Sequence, residues 1–354
     1  MTKGRKHARV VAILVAVAAI SIGLVGKFKP SLFLTHAPHY GYILWAMTGN
    51  NMPPFFDSKA WGKDNFHKFI QPGDVILSTM AKSGSLWLQQ IVHLIKNNGT
   101  DDYEYIHDTM GVLDFLYYPG QHINERITTE TQKRRPGAPM SWFTHEPTHH
   151  YGLNPRSHPE IKYIVTARNG KEVMKSFYPF VNSISSVFKD HWGGFAPPIS
   201  KEQVVERFAL NMPNLCLGHI KSWWQYRHEP NVLMLHYTNL KSNLRREIYK
   251  IAKFLNITVS DYEMKRILEK SSFEYMKRNR NRFSLLLGKD GDKYLAFEEG
   301  IHINSGKADG GEDFFTPVME EMWEQAKAKH WNGADPEMVS WVQIGGPLPS
   351  PAAI

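Results

Sequence analysis

The sequence predicts an α/β fold in which a parallel β-sheet carries helices on both faces, preceded by one N-terminal transmembrane helix. From residue 74 onward, short β-rich runs alternate with segments of helical spacing, which is typical of a parallel sheet covered by helices. A basic, glycine-containing turn follows the first of these runs. Near the N-terminus, residues 10–26 form an uncharged stretch of 17 residues. These three observations carry the prediction.

Length and composition limit the class of protein. The 354 residues leave room for about two domains, or for one large α/β domain. Hydrophobic residues at 42% and charged residues at 21% exclude wholesale disorder. The single cysteine, Cys216, excludes an internal disulfide framework and a cysteine-rich zinc module. The net charge of +8 favours an anionic partner, such as a nucleotide, an acidic substrate, nucleic acid or a membrane surface.

The N-terminal segment is predicted to anchor the chain in a membrane. Residues 10–26 meet the lower limit of about 17 residues for a spanning helix, and basic residues precede them at Lys3, Arg5, Lys6 and Arg9. The positive-inside rule then makes residues 1–9 a cytoplasmic tail and residues 27–65 a stem across the membrane. Two alternatives stay open: a cleaved signal peptide with a cut site near Ala16-Val17-Ala18, and a buried soluble helix.

Residues 66–335 are predicted to form the folded domain, and residues 336–354 a C-terminal tail. The β-rich runs are residues 74–79, 163–166 and 232–237, and residues 142–144 also indicate a strand. Helical spacing is found over residues 88–95, from residue 171, and over residues 244–255. Thr316 before Pro317 predicts a capped helix to about residue 329. Ligands of such sheets bind at the carboxyl ends of the strands.

Residues 79–87 join the first strand to its helix and are typical of an anion-binding turn. Backbone N–H groups and the positive helix end would face an anion there. Gly84 permits close backbone approach, Ser83 and Ser85 carry hydroxyl donors, and Lys82 adds a charge. The Walker A pattern is absent, because the glycine it requires six residues before the lysine is missing. The predicted sheet is therefore P-loop-like, and an ordinary solvated turn is the alternative.

Five motifs in register resemble the sulfotransferase family, in its cytosolic type. Residues 81–87 are similar to the family's P-K-S-G-T-T-W, and residues 144–147 to its T-H-x-P. Residues 165–176 resemble V-A-R-N-P-K-D-V-x-x-S, and residues 271–277 resemble T-S-F-x-x-M-K. Trp223, Trp224 and residues 235–237 occupy the places of the family's tryptophan-containing helix and F-Y-E-D strand. The resemblance covers residues 50 to 330 in outline.

The resemblance implies metal-independent, in-line transfer of a sulfuryl group from 3′-phosphoadenosine 5′-phosphosulfate to a hydroxyl or amine acceptor. It implies His145 as the general base, and Lys82 as the group that stabilises the leaving phosphate. Arg168 and Ser176 would bind the 3′-phosphate, and Ser176 and Lys82 are counted with His145 as catalytic. Trp87 and Phe273 would stack on the adenine, and Tyr237 and Ser271 would contact its edge. The predicted cofactor-binding residues are Lys82, Ser83, Gly84, Ser85, Leu86, Trp87, Arg168, Ser176, Tyr237, Ser271, Phe273, Asn304, Ser305 and Gly306.

Four positions depart from the family's pattern. Phe143 stands where the family usually has a lysine two residues before the histidine, and Leu86 replaces a threonine. Asn304 and Ser305 replace the arginine and lysine of the family's R-K-G-x-x-G loop. Glu146 would raise the pKa of the neighbouring His145 if it faced the ring. A membrane-anchored sulfotransferase-fold protein with impaired catalysis is therefore an alternative.

Two other enzyme classes match fragments of the chain. Residues 145–149 read H-E-x-x-H, the pattern of zinc hydrolases. Pro147 lies inside that span and opposes the continuous helix that the zinc motif requires. A P-loop kinase is opposed by the missing Walker pattern.

The predicted partners are a small-molecule, glycan or lipid acceptor and, through the N-terminal helix, a membrane. No nucleic-acid partner is predicted, because the basic residues between 277 and 282 need none to explain them. A homodimer is left open. The predicted location is a single-pass type II membrane protein facing the Golgi lumen. A cytoplasm-facing protein is the alternative, because a single cysteine argues mildly against an oxidising compartment.

Overall fold

The structure, a computed structural model, describes residues 69–119, 121–148, 152–192, 198–289, 291–303, 306 and 308–350. The predicted tail, anchor and stem, residues 1–9, 10–26 and 27–65, lie outside the described residues. In the part that is described, no helix combines the length and the apolar character needed to cross a bilayer.

Helices separate most strands of the described chain, and several helices follow one another after β4 and after β5. In order they are β1 (Val75–Thr79), α1 (Ser85–Lys96), β2 (Gly111–Val112), α2 (Ile123–Thr131), β3 (Ser141–Thr144), β4 (Lys162–Ala167), α3 (Gly170–Val181), α4 (Ser186–Trp192), α5 (Lys201–Val205), α6 (Leu217–Trp224), β5 (Val232–His236), α7 (Tyr237–Ser242), α8 (Leu244–Leu255), α9 (Asp261–Lys270), α10 (Phe273–Arg278), β6 (Leu286–Leu287), β7 (Tyr294–Leu295), α11 (Pro317–His330) and α12 (Pro336–Ile344). A π-helix, Glu206–Asn211, continues α5, and 3₁₀ turns include Ile106–Thr109.

Five strands form one parallel sheet in the order β2-β3-β1-β4-β5. The central strand β1 pairs with β3 on one side and β4 on the other, so that Val75 lies opposite both Ser141 and Lys162. A separate antiparallel pair joins β6 to β7. The strands that follow β1 therefore lie on both of its sides, β2 and β3 on one and β4 and β5 on the other. Open α/β sheets bind ligands at the point where the chain changes sides in this way.

The core contains two apolar layers, one on each face of the sheet, and a third, smaller cluster that includes Phe188 and Trp192. Side chains of a strand alternate between faces, and accordingly Ile76 packs into one cluster with Trp142 and Trp223. Its neighbour Leu77 packs into the opposite cluster with Phe143. Since both faces are covered by helices, all five residues of β1 are buried.

Helix caps define where the helices begin. Thr316 accepts a hydrogen bond from Met319 N and Pro317 follows it at the first helical position, which confirms the predicted start of α11. Asn169 caps α3 in the same way through Lys171 N. The start of α1 differs, because Gly84 is left-handed and no side chain among the described residues caps the helix.

The predicted parallel α/β sheet with helices on both faces is confirmed. Two boundaries differ from the expectation. Strand β5 ends at His236, and Tyr237 begins helix α7, because the His236 side chain accepts from Thr238 N as a cap. Within the predicted C-terminal tail, helix α12 buries Met338 and Trp341 in the core.

Candidate active site

Residues that follow four neighbouring strands line one cavity of about 610 Å³. His145, Arg168 and Tyr237 come directly after β3, β4 and β5, and Lys82 comes three residues after the end of β1. The topology brings them together, because the carboxyl ends of parallel strands meet at one edge of the sheet. Eleven predicted site residues line this cavity: Lys82, Gly84, Ser85, Leu86, Trp87, His145, Arg168, Ser176, Tyr237, Phe273 and Gly306.

The turn between β1 and α1 is bent by two left-handed residues. Lys82 has a φ of 60° and Gly84 a φ of 91°. A Cβ on Gly84 would lie 3.1 Å from the ring of Tyr237, so that glycine is required both by the backbone and by its neighbour. The uncapped start of α1 leaves the first N–H groups of the helix available to an anion.

Ser83 lies in this turn but turns away from the cavity. Its side chain is fully buried, and its Oγ lies 2.6 Å from Thr166 Oγ1 on β4. The hydroxyl therefore ties the turn to the sheet. The Ser83 N–H donates to Met80 O at 3.1 Å, so the anion contact that the sequence suggested for Ser83 is not available in this arrangement.

His145 is held in one tautomer. Its Nδ1 lies 2.8 Å from Thr79 O, and since a carbonyl oxygen only accepts, Nδ1 carries the proton and Nε2 the lone pair. Within the described residues no hydrogen bond to Nε2 is formed. Burial, aided by the charge of Lys82 and opposed by the Thr79 bond, lowers the pKa of His145 to about 4. The ring is therefore neutral at neutral pH and can take a proton at Nε2.

A buried carboxyl group that the sequence analysis missed fixes the backbone of this histidine. Asp114 Oδ2 accepts from His145 N at 2.6 Å, and Asp114 Oδ1 accepts from Thr144 Oγ1 at 2.6 Å. Burial and then the charge of Glu146 raise the pKa of Asp114 well above its usual range. Glu146 therefore acts on Asp114, and the increase it would cause in the pKa of His145 is not found.

Phe143 occupies the position of the family's lysine and forms part of the apolar support of the site. It is buried, and its ring meets the His145 ring edge to face, with centroids 4.8 Å apart and planes at 80°. A second histidine is also near, since the His107 ring centroid lies 6.5 Å from that of Phe143. The cation expected there is thus replaced by an aromatic contact.

Lys82 and Arg168 supply positive charge at the strand ends, and Lys175 and Lys241 also line the cavity. Lys82 Nζ lies 4.0 Å from the centre of the Phe180 ring, and it has no hydrogen-bond or ion-pair partner within the described residues. Burial, then repulsion by Arg168, lowers the pKa of Lys82 to about 7. Arg168 is held by Glu172 Oε2 at 2.7 Å and by Lys82 O at 2.9 Å.

Glu172 is a further residue that sequence reasoning missed. One carboxylate oxygen accepts from Arg168, and the other accepts from Gly310 N at 2.8 Å. It therefore links the arginine to the segment that follows Gly306. The spacing of four residues from Arg168 at the start of a helix could have indicated the ion pair, but nothing in the sequence indicated the contact with Gly310.

Aromatic side chains line the cavity beside the turn, and the Arg168 guanidinium lies over the Tyr237 ring, 4.2 Å from its centroid. Trp87 meets Tyr237 edge to face with ring centroids 5.7 Å apart, and Trp87 Nε1 donates to Ser271 O at 2.7 Å. Phe273 lies against Gly306, where a Cβ would come within 2.7 Å of its ring. The Ser271 hydroxyl donates to Ile267 O and is buried. Ser271 thus orients Trp87 through its carbonyl and does not line the cavity.

The remaining predicted residues, Asn304 and Ser305, lie outside the described residues. The H-E-x-x-H pattern does not form the helix that a zinc site requires, because residues 141–144 are strand and residues 145–147 are not helical. Its second histidine, His149, lies outside the described residues. Among those that are described, no three histidine, cysteine, aspartate or glutamate side chains are grouped as metal ligands.

The hydrogen-bond donors of the cavity fit a nucleotide that carries several negative charges. Lys82 supplies an ammonium group without a partner in the described chain, the start of α1 supplies uncapped N–H groups, and Gly84 leaves the space that a Cβ would fill. Apolar rings of Trp87, Tyr237 and Phe273 lie beside these groups. Such a combination suits a nucleotide, with phosphates at the cationic and N–H groups and a base stacked on the rings.

Known proteins with similar sequences are sulfotransferases. Sulfotransferase 1B1 of Mus musculus is 36% identical over 219 residues, which cover 59% of this chain and 67% of that protein. Sulfotransferase 1E1 of Homo sapiens is 30% identical over 228 residues, covering 62% and 71%. An amine sulfotransferase of Oryctolagus cuniculus is 30% identical over 212 residues, covering 59% and 64%.

Solved structures share the fold. Retinol dehydratase in a complex with retinol and PAP superposes with a TM-score of 0.58 at 21% identity, over 83% of this chain and 88% of that one. Mouse sulfotransferase SULT7A1 complexed with PAP gives a TM-score of 0.55 at 19% identity, over 79% and 93%. The sequence model of the sulfotransferase domain matches residues 72–331, and the chain therefore belongs to the sulfotransferase family.

Proposed function

We propose that this sulfotransferase uses His145 as the general base that takes the proton of a hydroxyl or amine acceptor. The donor is 3′-phosphoadenosine 5′-phosphosulfate, which supplies the sulfuryl group and leaves as the nucleotide bisphosphate. The observation that carries the proposal is the state of His145: its Nδ1 proton is committed to Thr79 O, and its neutral Nε2 is left for the acceptor.

The other cavity residues bind and orient. The backbone of the β1–α1 turn and Lys82 hold the phosphate end of the donor, and Arg168 with Ser176 holds its 3′-phosphate. Trp87 and Phe273 hold the base by stacking. Asp114 keeps the backbone of His145 in place through its bond to the amide. The charged part of the reaction is thereby removed from bulk water. Each of these contacts is stronger in such a water-excluded site than it would be in water.

A protein that binds the donor without catalysis is the second candidate. It is favoured by Phe143, which leaves the neighbourhood of His145 without the cation that the family's pattern predicts. In that case the chain binds 3′-phosphoadenosine 5′-phosphate but transfers no sulfuryl group. Transfer above the buffer rate by the wild-type chain excludes this candidate.

The test of the base is His145→Ala, with sulfuryl transfer from labelled donor and calorimetric binding of 3′-phosphoadenosine 5′-phosphate measured on the same preparation. We expect kcat to fall by about 10²–10⁴-fold with nucleotide affinity retained. The matched control is His228→Ala, since His228 is exposed and does not line the cavity. Wild-type turnover in His145→Ala would refute the assignment.

The membrane anchor at residues 10–26 is also part of the proposal, supported by the uncharged run and its basic flank. We expect the full chain to stay in the membrane fraction under alkaline extraction and a chain lacking residues 1–26 to leave it. In sealed microsomes, protection of the domain from added protease supports the Golgi-lumen orientation, and its digestion supports the cytoplasmic one. Sedimentation of the shortened chain tests the homodimer.

A further inference from the structure

Thr79, the last residue of β1, links the proposed base to the start of α1, although it is outside the predicted site residues. Its side chain is fully buried. Its Oγ1 lies 2.8 Å from Ser85 Oγ and 3.1 Å from His145 Nδ1, and within the described residues this hydroxyl forms no further hydrogen bond. The Thr79 hydroxyl therefore connects two side chains that both line the cavity.

The position of the proton on His145 fixes the direction of these hydrogen bonds. Thr79 O accepts from Nδ1 at 2.8 Å, so Nδ1 carries the hydrogen and Thr79 Oγ1 can only accept from it. The Thr79 hydroxyl hydrogen then has Ser85 Oγ as its acceptor. If Ser85 were the donor instead, the Thr79 hydrogen would be buried without an acceptor in the described chain, which is rare for a buried polar group.

This direction leaves the hydroxyl hydrogen of Ser85 for the cavity. Ser85 is half-buried, and within the described residues its Oγ has Thr79 as its one hydrogen-bond partner. Ser85 is also the first residue of α1, where no side chain among the described residues caps the helix. Its hydroxyl therefore adds one more donor beside the N–H groups that face an anion.

The two ends of this chain of hydrogen bonds gain charge together in the proposed reaction. The acceptor oxygen bonds to sulfur and its proton passes to His145 Nε2. The bond from sulfur to the 5′-phosphate oxygen breaks, and its electron pair stays on the phosphate. The imidazole then becomes positively charged, so Nδ1–H is a stronger donor, and hydrogen bonds that follow one another in a chain strengthen each other.

We propose that Thr79 is a positioning residue, whose hydroxyl holds Ser85 as a donor to the leaving phosphate and links the strength of that donor to the protonation of His145. Thr79 does not itself line the cavity, so it acts through Ser85. The proposal rests on the proposed function, because it assumes that His145 is the base and that the 5′-phosphate lies at the β1–α1 turn.

The test is a double-mutant cycle of Thr79→Val and Ser85→Ala, with sulfuryl transfer and calorimetric binding of 3′-phosphoadenosine 5′-phosphate measured for each variant. Thr79→Val keeps the shape of the side chain and the carbonyl that bonds His145, and it removes only the hydroxyl. We expect it to lower kcat/KM by about tenfold and to weaken nucleotide binding in the wild-type background. In the Ser85→Ala background the same substitution should change both quantities by less than about twofold.

Two further variants separate this role from a structural one. Thr79→Ser restores the hydroxyl and should stay within about twofold of the wild type. Thr166→Val is the matched control, because Thr166 lies opposite Thr79 in the sheet and its buried hydroxyl bonds Ser83 instead of Ser85. Its effect, whatever its size, should add to that of Ser85→Ala. Thr79→Ala takes the place of Thr79→Val in the cycle if thermal unfolding shows that the valine variant is not folded.

Additive effects of the substitutions at Thr79 and Ser85 would overturn the proposal. A Thr79→Ser variant as impaired as Thr79→Val, or equal non-additivity in the Thr166→Val cycle, would overturn it as well. Those outcomes leave the proposed sulfotransferase function standing. The absence of transfer by the wild type to every acceptor in a general panel would count against the function itself, and the nucleotide-binding cycle, which needs no transfer, would still test the link between Thr79 and Ser85.

Discussion

Lys82 is a residue whose charge depends on its surroundings. Its ammonium group lies against the Phe180 ring, and burial together with Arg168 lowers its pKa to about 7. In the free protein it is therefore half protonated near neutral pH, although a lysine in water would be fully charged. Binding of an anionic phosphate favours the protonated form, so binding and protonation of Lys82 are linked.

This linkage predicts a pH dependence of nucleotide affinity. As pH rises from 7 to 8 the free protein loses the Lys82 proton, and the Kd of 3′-phosphoadenosine 5′-phosphate should rise by about fivefold. Proton uptake should accompany binding at pH 8, measured by calorimetry in buffers of different ionisation enthalpy. Lys82→Met should bind more weakly at both pH values and lose the dependence. Lys253→Met, at an exposed position, is the control, and a wild-type affinity that is constant over this range would contradict the prediction.

At the scale of single residues, the sequence could predict some members of the site and not others. Lys82, His145 and Arg168 were predicted because each lies in a motif of consecutive residues, and the structure places all three in one cavity. Asp114 and Glu172 were missed, because their roles arise from contacts across the fold. Asp114 bonds a residue 31 positions away, and Glu172 bonds a residue 138 positions away.

At the scale of elements, the junction of β1 with α1 determines the anion site. The turn reverses direction through Gly84, whose φ of 91° costs a residue with a Cβ about 1–2 kcal/mol. The ring of Tyr237, at the start of α7, lies 3.1 Å from where that Cβ would be. Strand, turn and helix were predictable from local patterns, whereas the contact with α7 was not, since Tyr237 lies 153 residues after Gly84.

Gly84→Ala should therefore impair the anion site by two separable effects. The left-handed backbone is strained, and the Tyr237 ring has to move away from the turn. We expect the free energy of unfolding to fall by about 1–2 kcal/mol from the backbone alone, and nucleotide affinity to fall with it. Gly137→Ala is the matched control, because Gly137 has a φ of 71° but nothing within 4 Å of its Cβ position. Equal nucleotide affinity in Gly84→Ala and wild type would contradict the role given to the turn.

At the scale of the whole molecule, the described domain buries several histidines without charging them. The pKa is lowered, with burial as the largest cause, to about 4 in His93 and His145 and to about 3 in His107 and His219. Alternation of strands and helices was enough to predict the sheet, and it could not show which of the 17 histidines the packing would bury. The N-terminal anchor belongs to this scale too, and it stays a prediction because it lies outside the described residues.

The buried histidines should make the domain sensitive to acid. Below pH 6.5 the unfolded chain takes up protons that the folded chain excludes, so the free energy of unfolding falls as pH falls toward about 4. Between pH 7 and pH 5 each such histidine should cost about 2 kcal/mol, while Asp114, whose pKa is raised, acts in the opposite direction. Urea titrations at the two pH values measure the change.

His219→Gln, which removes a buried ring bonded to Ser78 Oγ, should reduce the loss by about 2 kcal/mol. The exposed His228→Gln should leave the loss unchanged, and an equal loss in His219→Gln and wild type would show that His219 is charged in the folded protein.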